Sequence, residues 1–274
     1  MGNLIKLLNE AHPIRTILQE AAKRLNLGSY EHRIALGAIE RPHYAYGVYN
    51  AGYLAKKLGL ARVSLLEFGV AGGNGLLNLE YHAKEVSKLL GVVFEIYGFD
   101  TGAGLPTPVD YRDLPYSWKE GFFRMDVPAL RAKLTQSVLV LGEIKETTKS
   151  FFEEHRPAPI GFVSFDVDFY SSTVSALELF HSKREDYLPR VICYFDDTIG
   201  TEIELYSDFT GQRLAIHEFN DTHEKIKLSK AYNLLSKKIT EPWFHQSWVC
   251  HFLDHPNYNK FVGREDQQLA IKPN

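Results

Sequence analysis

The sequence of 274 residues is poor in cysteine, which excludes several ways of holding a protein together. Its two cysteines, Cys193 and Cys250, are too few for a disulfide scaffold, and they do not form a C-x-x-C zinc pair. A chain of this length buries enough apolar surface to fold without a disulfide or a structural metal. This composition fits a reducing compartment, and we expect a cytoplasmic protein.

Long apolar runs and blocks of positive charge are also lacking. No run approaches the roughly 18 residues needed to span a bilayer, and the first residues resemble neither a secretory signal nor a myristoylation site. A formal net charge of −3 without a Lys/Arg block matches a nucleic-acid backbone poorly. We therefore expect a small-molecule partner and neither a membrane nor a nucleic acid; the sequence is compatible with a homo-oligomer.

From residue 63 onward, short and almost continuously apolar runs alternate with amphipathic stretches. Such runs are typical of parallel strands that are buried on both faces and connected by helices. The sequence therefore predicts an α/β fold with a doubly wound, Rossmann-like, mostly parallel sheet. The five predicted strands are Val63–Phe68, Val92–Phe99, Val138–Leu141, Ile160–Phe165 and Val191–Phe195.

The regions on either side of this pattern are predicted with less detail. Residues 1–60 look helical, with an apolar stripe that begins at Leu4 and a later helix that ends at Gly59. We predict that residues 1–60 form a helical extension or lid and that residues 61–274 form the cofactor-binding domain. Near the C-terminus the patterns fit helices at Gly211–Phe219 and Leu228–Leu235 and a strand at Trp248–Leu253.

A glycine-rich turn directly follows the first predicted strand, with the sequence Glu67-Phe68-Gly69-Val70-Ala71-Gly72-Gly73-Asn74-Gly75. Glycines allow a tight turn and a close approach of a ligand at the sheet edge where open α/β folds bind ligands. The turn lacks the G-x-G-x-x-G pattern of dinucleotide-binding folds, and Glu67 would repel a phosphate. Asp100 ends the second strand, where an acid typically accepts ribose hydroxyls. These features favour S-adenosylmethionine, which has free ribose hydroxyls and an amino group.

Four further acids follow the fourth and fifth predicted strands: Asp166, Asp168, Asp196 and Asp197. The carboxyl ends of both strands lie on one sheet edge, and like charges brought close together cannot all stay ionised without a counter-charge. A divalent cation with oxygen ligands, with Mg²⁺ as the default, would supply it. The alternative is that these acids cap helices, which suits Asp168 but does not explain the pair Asp196-Asp197.

Four motifs in this order resemble the macrocin O-methyltransferase family, over about residues 63–200. The family consists of class I S-adenosylmethionine-dependent methyltransferases that modify sugar and antibiotic hydroxyls with a divalent metal. A further loop, Gly142-Glu143-Ile144, looks like the family's loop beside the adenine. The four motifs are Glu67-Phe68-Gly69-Val70 with Gly73, Gly98-Phe99-Asp100-Thr101 with Gly104-Leu105-Pro106, Asp166-Val167-Asp168-Phe169-Tyr170-Ser171-Ser172-Thr173, and Asp196-Asp197.

The resemblance implies a seven-stranded sheet with a reversed last strand, and it assigns roles to individual residues. The metal ligands would be Asp166 (or Asp168), Asp196 and Asp197. The aspartate of the fourth-strand motif, Asp166 or Asp168, would also act as the catalytic general base. The cofactor-binding residues would be Glu67, Gly69, Gly73, Asn74, Asp100, Thr101, Gly142 and Glu143.

The function predicted from the sequence is a metal-assisted O-methyltransferase acting on a hydroxyl of a small molecule of the sugar or natural-product type. One alternative is an NAD(P)-dependent oxidoreductase, which shares the fold and the ribose-binding acid. The other is a non-catalytic cofactor-binding protein. We also expect some of the tyrosines at positions 44, 46, 49 and 53 to face the mouth of the cofactor site.

Overall fold

A seven-stranded sheet forms the centre of the computed structural model, which describes residues 13–238 and 240–268. The strand order is β3-β2-β1-β4-β5-β7-β6, and β7 runs antiparallel to both of its neighbours, whereas β1 to β5 pair in parallel. The sheet is therefore mixed, with a reversed last strand. The strands are β1 Arg62–Phe68, β2 Val93–Asp100, β3 Val138–Leu141, β4 Ile160–Phe165, β5 Tyr187–Phe195, β6 Ile226–Lys230 and β7 Ser247–Phe252.

Helices connect the strands and cover both faces of the sheet, as the alternating pattern predicted. None of the described helices is both long enough and apolar enough to cross a membrane. The helices are α1 Pro13–Arg24, α2 Tyr30–Leu36, α3 Pro42–Leu58, α4 Asn74–Leu90, α5 Val127–Arg131, α6 Ile144–His155, α7 Tyr170–Leu177, α8 Gly211–Thr222, α9 Tyr232–Leu235 and α10 Pro242–Gln246.

Helix α3 packs directly against the sheet, so it brings part of the N-terminal region into the core. It ends at Gly59, which has φ 81°, as the sequence predicted. A Cβ atom added to Gly47 would lie 2.2 Å from the Phe162 ring, which shows how closely the helix approaches β4. The apolar stripe that begins at Leu4 lies outside the described residues. The division of the chain at residue 60, and a lid role for residues 1–60, stay predictions.

On the other face of the sheet, four phenylalanines form a continuous row across the ends of β2, β1, β4 and β5. The ring centroids are 4.5 Å apart for Phe99 and Phe68, 5.6 Å for Phe68 and Phe165, and 4.5 Å for Phe165 and Phe195. All four are fully buried. Each phenylalanine is followed directly by a residue at the carboxyl edge of the sheet. Because the row aligns the four strand ends, these residues also lie side by side: Asp100, Gly69, Asp166 and Asp196.

Beyond residue 210 the structure confirms two predicted elements and corrects a third. The helix predicted at Gly211–Phe219 is α8, and the strand predicted at Trp248–Leu253 is β7. The helix predicted at Leu228–Leu235 is wrong, since this segment begins within β6 and only its end forms α9. Leucines at helical spacing suggested a helix, but Ile226 and Leu228 alternate with more exposed residues and pair with β7.

Strand β5 also differs from the prediction because it begins at Tyr187, four residues before the expected start at Val191. Pro189 lies between these positions, where the register between β4 and β5 shifts. Proline within a run weakens a strand prediction, and a register shift is one of the places where a strand tolerates it.

Candidate active site

A cavity of about 660 Å³ opens at the carboxyl ends of β1, β2, β4 and β5. Gly69, Asp100, Thr101 and Glu143 line one part of it. The acids that follow β4 and β5 line another part: Asp166, Asp168, Asp196 and Asp197. The structure thus brings the glycine turn and the predicted metal ligands to a single cavity. Four other predicted cofactor residues do not line it: Glu67, Gly73, Asn74 and Gly142.

The glycine turn passes so close to the end of β4 that Gly69 must be a glycine. Its φ is 84°, and an added Cβ atom would lie 1.6 Å from the Asp166 carbonyl oxygen. Gly73, also at positive φ, precedes α4 and packs against Leu130. Asn74 is the first residue of that helix and its side chain is exposed. The turn therefore presents backbone, and no Cβ at Gly69, to the cavity.

Asp100 holds this turn in place. Its Oδ2 accepts hydrogen bonds from the backbone N–H groups of Val70 and Ala71, both at 2.9 Å, and its Oδ1 accepts one from Gly102 N at 2.6 Å. A carboxylate offers about four lone-pair positions, so about one remains for a ligand. Next to it, the Thr101 hydroxyl donates to the Gly104 carbonyl at 3.0 Å and closes the following loop.

Glu67 lies beneath the turn and is buried, with 2% of its surface exposed. Its Oε1 accepts a hydrogen bond from the Tyr44 hydroxyl at 2.6 Å, and Ser164 Oγ donates to the same hydroxyl at 3.1 Å. Its Oε2 has no hydrogen-bond partner in the described part of the chain. Burial raises the pKa of Glu67 to about 7, against the opposing effects of Tyr44 and Arg41. Of the four α3 tyrosines that we expected at the mouth of the cofactor site, none lines the cavity, and Tyr44 instead lies beneath the turn, where it reaches Glu67.

Three carboxylates form a tight cluster at the ends of β4 and β5. Asp166, Asp196 and Asp197 can each place one oxygen within 4.8 Å of the other two, and residues 13–238 and 240–268 contain no other such group of three potential metal ligands. Burial and the neighbouring carboxylates raise the pKa values of Asp166 and Asp197 well above the usual range. Two tyrosine hydroxyls orient the cluster: Tyr194 donates to Asp196 Oδ1 at 2.7 Å, and Tyr206 donates to Asp197 Oδ1 at 3.2 Å.

Asp168 lies beside this cluster but does not belong to it. Its φ of 57° is unusual for a residue other than glycine. Its backbone N–H donates to Asp197 Oδ2 at 2.8 Å, which ties the two strand ends together. Burial, followed by the charges of Asp166, Asp196 and Glu204, raises the pKa of Asp168 to about 8. The geometry therefore distinguishes Asp166, which belongs to the cluster, from Asp168, which does not, whereas the sequence left their roles interchangeable.

The acid that caps α7 is one that the sequence analysis did not identify. Asp113, on the loop after β2, is completely buried. It accepts hydrogen bonds from Ser171 N at 2.8 Å and from Ser171 Oγ at 2.9 Å. The bond from Ser171 N satisfies a first-turn N–H group of α7. Asp113 therefore caps this helix, and not Asp168 as the alternative in the sequence analysis suggested. Asp113 stands in a loop 58 positions before Ser171, and no local sequence signal connects the two.

Gln212 is another residue that only the fold reveals. It is completely buried at the start of α8. Its Oε1 accepts from Asp197 N at 2.9 Å and its Nε2 donates to the Phe165 carbonyl at 3.1 Å, so it joins the ends of β4 and β5. Gln246 adds a bond from its Nε2 to the Asp196 carbonyl at 2.5 Å. These amides fix the backbone that carries the acidic cluster.

The cavity has an acidic floor and an apolar mouth. Among the described residues that line it, Lys145 is the one lysine or arginine. Trp118, Phe123 and Val109 lie on the loop that follows β2, and the Tyr116 hydroxyl donates to the Glu204 carbonyl at 2.7 Å, joining this loop to the loop after β5. The acidic lining residues are Asp100, Glu143, Asp166, Asp168, Asp196, Asp197 and Glu204.

No protein-family model matches the chain, and neither does any curated protein sequence. Solved structures do match. CalS11, a calicheamicin methyltransferase, is 19% identical with a TM-score of 0.52, covering 90% of this chain and 95% of that chain. The O-methyltransferase NovP is 13% identical with a TM-score of 0.49, covering 77% and 79%. The plantazolicin methyltransferase BpumL, solved with SAH, is 11% identical with a TM-score of 0.35, covering 89% and 92%.

The similarity to CalS11 shows that this chain has the fold of a methyltransferase. The seven strands and the reversed β7 agree with the sheet that the sequence resemblance implied. The class I methyltransferase fold predicted from the sequence is therefore confirmed. Membership in the macrocin O-methyltransferase family stays a prediction.

Proposed function

We propose that this protein is an S-adenosylmethionine-dependent O-methyltransferase, assisted by a divalent metal, that acts on a hydroxyl of a small molecule of the sugar or natural-product type. The observation that carries the proposal is that the glycine turn with Asp100 and the cluster of Asp166, Asp196 and Asp197 line the same cavity. The fold shared with CalS11, whose name describes a calicheamicin methyltransferase, supports it.

The residues around the turn suit S-adenosylmethionine, which supplies an electrophilic methyl group when bound. Asp100 keeps about one lone-pair position free for a ribose hydroxyl after its three backbone bonds. Gly69 leaves room for a close approach of the ligand to the backbone. Glu143 lines the cavity beside Ile144, where the resemblance places the adenine. The excess of acids over lysine disfavours the diphosphate of NAD(P).

The acidic cluster suits a hard divalent cation because it offers three carboxylate oxygens in close proximity. Burial and the neighbouring carboxylates raise the pKa values of Asp166 and Asp197, and at Asp166 they outweigh the opposing charge of Arg41, so these groups need more positive charge in order to stay ionised. A bound cation would supply that charge, position an acceptor hydroxyl and lower its pKa. Tyr194 and Tyr206 would hold the ligating carboxylates of Asp196 and Asp197 in orientation.

We assign the general base to Asp168 rather than to Asp166. Asp168 lines the cavity and stands outside the three-carboxylate cluster. Its pKa of about 8 is close to the range in which a general base works efficiently near neutral pH. Its carboxylate would accept the proton of the acceptor hydroxyl.

The test measures transfer of a labelled methyl group from S-adenosylmethionine to a panel of glycosides and polyhydroxylated natural products. We expect EDTA to abolish transfer, added Mg²⁺ to restore it, and the double variant Asp196→Asn with Asp197→Asn to lose it while still binding S-adenosylmethionine by calorimetry. Asp221→Asn, at an exposed position on α8, is the matched control and should retain activity.

Three outcomes would contradict parts of the proposal. Activity that ignores EDTA and survives the double substitution would remove the metal role. Binding of NADH in preference to S-adenosylmethionine would favour the oxidoreductase. Tight cofactor binding without turnover across the whole panel would favour a non-catalytic binding protein.

A further inference from the structure

Two histidines outside the cavity face each other in an unusual way. His181 ends a short 3₁₀ turn, Glu178–His181, and His223 follows the last residue of α8. Their Nε2 atoms are 2.6 Å apart, and their rings are nearly parallel, with centroids at 4.9 Å and planes at 19°. Neither residue lines the cavity or belongs to the acidic cluster.

The partners of the other ring nitrogens determine where the protons are. His181 Nδ1 lies 2.9 Å from Glu178 Oε2, and an ionised carboxylate can only accept a hydrogen bond. His223 Nδ1 lies 2.7 Å from the Phe219 carbonyl oxygen, which also can only accept. Both Nδ1 atoms must therefore carry the hydrogen and donate it.

A second contact supports this assignment for His223. Its Nδ1 is also 3.1 Å from Thr222 Oγ1, and that hydroxyl donates its own hydrogen to the Glu218 carbonyl at 2.9 Å. The hydroxyl is thus available to His223 only as an acceptor. With Nδ1 protonated on both rings, the neutral tautomers leave a lone pair on each Nε2, and these two lone pairs point at each other.

Two lone pairs at this distance repel unless a positive charge lies between them. We propose that His181 and His223 form a binding site for a divalent transition-metal ion, with Zn²⁺ as the type case, which both Nε2 atoms ligate. Imidazole nitrogen is the ligand that zinc, copper and nickel favour. Since His181 is exposed to solvent, water completes the coordination of the ion.

The surroundings of both rings are those of metal-binding histidines. A ligating histidine usually donates its second ring N–H to a carboxylate or a backbone carbonyl, as Glu178 and Phe219 provide here. The Phe219 ring stacks on His223 with centroids 4.1 Å apart and fixes its orientation. The C-terminal end of α8 adds a partial negative charge that favours a cation.

The adjustment needed to bind an ion is small. Tetrahedral zinc with ordinary Zn–N bonds separates two nitrogen ligands by about 3.3 Å, so the Nε2 atoms must move apart by less than 1 Å. His181 has 40% of its side chain exposed and is free to make this movement. A bound ion would join the segment after α7 to the end of α8, so it would also stabilise the folded chain.

The test titrates the metal-free protein with Zn²⁺ by calorimetry in the background of Asp196→Asn with Asp197→Asn, so that the acidic cluster does not contribute. We expect one ion to bind, His181→Gln and His223→Gln each to weaken binding at least about tenfold, and Glu178→Gln to weaken it about tenfold by releasing the His181 ring. His217→Gln is the matched control, since His217 is an exposed histidine of α8 that pairs with Asp221.

Spectroscopy and thermal unfolding give independent measurements. Cu²⁺ bound to the same protein should show nitrogen hyperfine structure from two imidazoles in electron paramagnetic resonance, and His223→Gln should abolish it. Saturating Zn²⁺ should raise the unfolding temperature of the parent and of His217→Gln but not that of His223→Gln. If the Asp196→Asn, Asp197→Asn protein binds Zn²⁺ with the same affinity with and without His223→Gln, the proposal is overturned. If it binds no Zn²⁺, the proposal is also overturned, and the two histidines hold only a shared proton.

Discussion

Two regions of the molecule surround their carboxylates in opposite ways: one supplies hydrogen-bond donors, and the other places carboxylates side by side. Glu80, on α4, accepts hydrogen bonds from the backbone N–H groups of Thr135, Gln136 and Ser137 and from the Thr135 hydroxyl. In contrast, within the described residues the Asp166 side chain accepts no hydrogen bond. It lies instead among other carboxylates.

The pKa values follow from this difference in donors. Burial alone would raise the pKa of Glu80, but the hydrogen bonds from residues 135–137 outweigh burial and lower it. At Asp166 burial and repulsion act in the same direction, and the pKa rises well above its usual range. A carboxylate surrounded by donors stabilises the fold, whereas one surrounded by carboxylates destabilises it, as expected for a ligand of the proposed cation.

The strongest test of this contrast is Asp197→Asn. If the proposed function is correct, we expect the rate of methyl transfer to fall by about a thousandfold, because a ligand of the proposed cation, which would contribute several kcal/mol to the reaction, is lost. In EDTA at pH 8, the free energy of unfolding should instead rise by about 1 kcal/mol, because one carboxyl group is removed from a cluster of mutually repelling acids. Initial rates and urea denaturation measure the two effects. A loss of both activity and stability would show that Asp197 stabilises the fold, as Glu80 does.

Glu80→Gln should have the opposite effect on stability. The amide group of glutamine would face backbone N–H groups that now donate to the carboxylate, so we expect the free energy of unfolding to fall by about 3 kcal/mol. Glu85→Gln is the matched control on the same helix, since its surface ion pair with Lys88 should contribute no more than about 0.5 kcal/mol. If both variants unfold at the same urea concentration, the donors around Glu80 do not stabilise the fold.

The sequence predicted the parallel strands β1 to β5 and the acids at the strand ends because both signals are local. Each acid stands directly after an apolar run, and parallel strands bring their carboxyl ends to one edge. The sequence could not identify the contacts that hold these acids and the helix beside them. Tyr44, which donates to Glu67, and Gln212, which accepts from Asp197 N, stand 23 and 15 residues away from their partners in the chain. Asp113, which accepts from Ser171 at the start of α7, stands 58 residues away, and only the packing of the elements brings these groups together.

The same limit applies to individual site residues. A motif position placed Asn74 among the cofactor residues; in the structure its side chain is exposed at the start of α4 and does not line the cavity, so its role stays a prediction. The motif that contains Asp166 and Asp168 also left their roles open. The left-handed backbone at Asp168, which takes this residue out of the cluster, has no signal in the sequence.

Glu67 offers a test of the contrast by pH. Its pKa is about 7 in the folded chain and about 4.3 in an unfolded one. Because the folded state holds the proton more tightly, the carboxylate destabilises the fold increasingly as the pH rises from about 4 to 7, and fully above 7. Between pH 5 and pH 8 the parent should therefore lose about 2–3 kcal/mol of stability relative to Glu67→Gln in urea denaturation.

Tyr44→Phe sharpens this experiment. The Tyr44 hydroxyl donates to Glu67 and lowers its pKa, so removing it should steepen the loss of stability with pH. If the free energy of unfolding of the parent and that of Glu67→Gln depend on pH in the same way, Glu67 is already ionised in the folded protein over this range. It would then behave like a carboxylate that has enough hydrogen-bond donors.

The smallest expected effect compares two acids near the start of α7. Asp113→Asn should lower the free energy of unfolding by about 1–2 kcal/mol, because the asparagine loses an acceptor for Val109 N, Ser171 N or Ser171 Oγ. Asp168→Asn should leave stability unchanged or raise it, since Asp168 caps no helix and lies beside like charges, yet it should reduce methyl transfer. Urea denaturation of both variants at pH 8 in EDTA decides the comparison. A larger loss of stability at Asp168 than at Asp113 would mean that the acids of the cavity also hold the fold together, and the distinction between structural and functional carboxylates would fail.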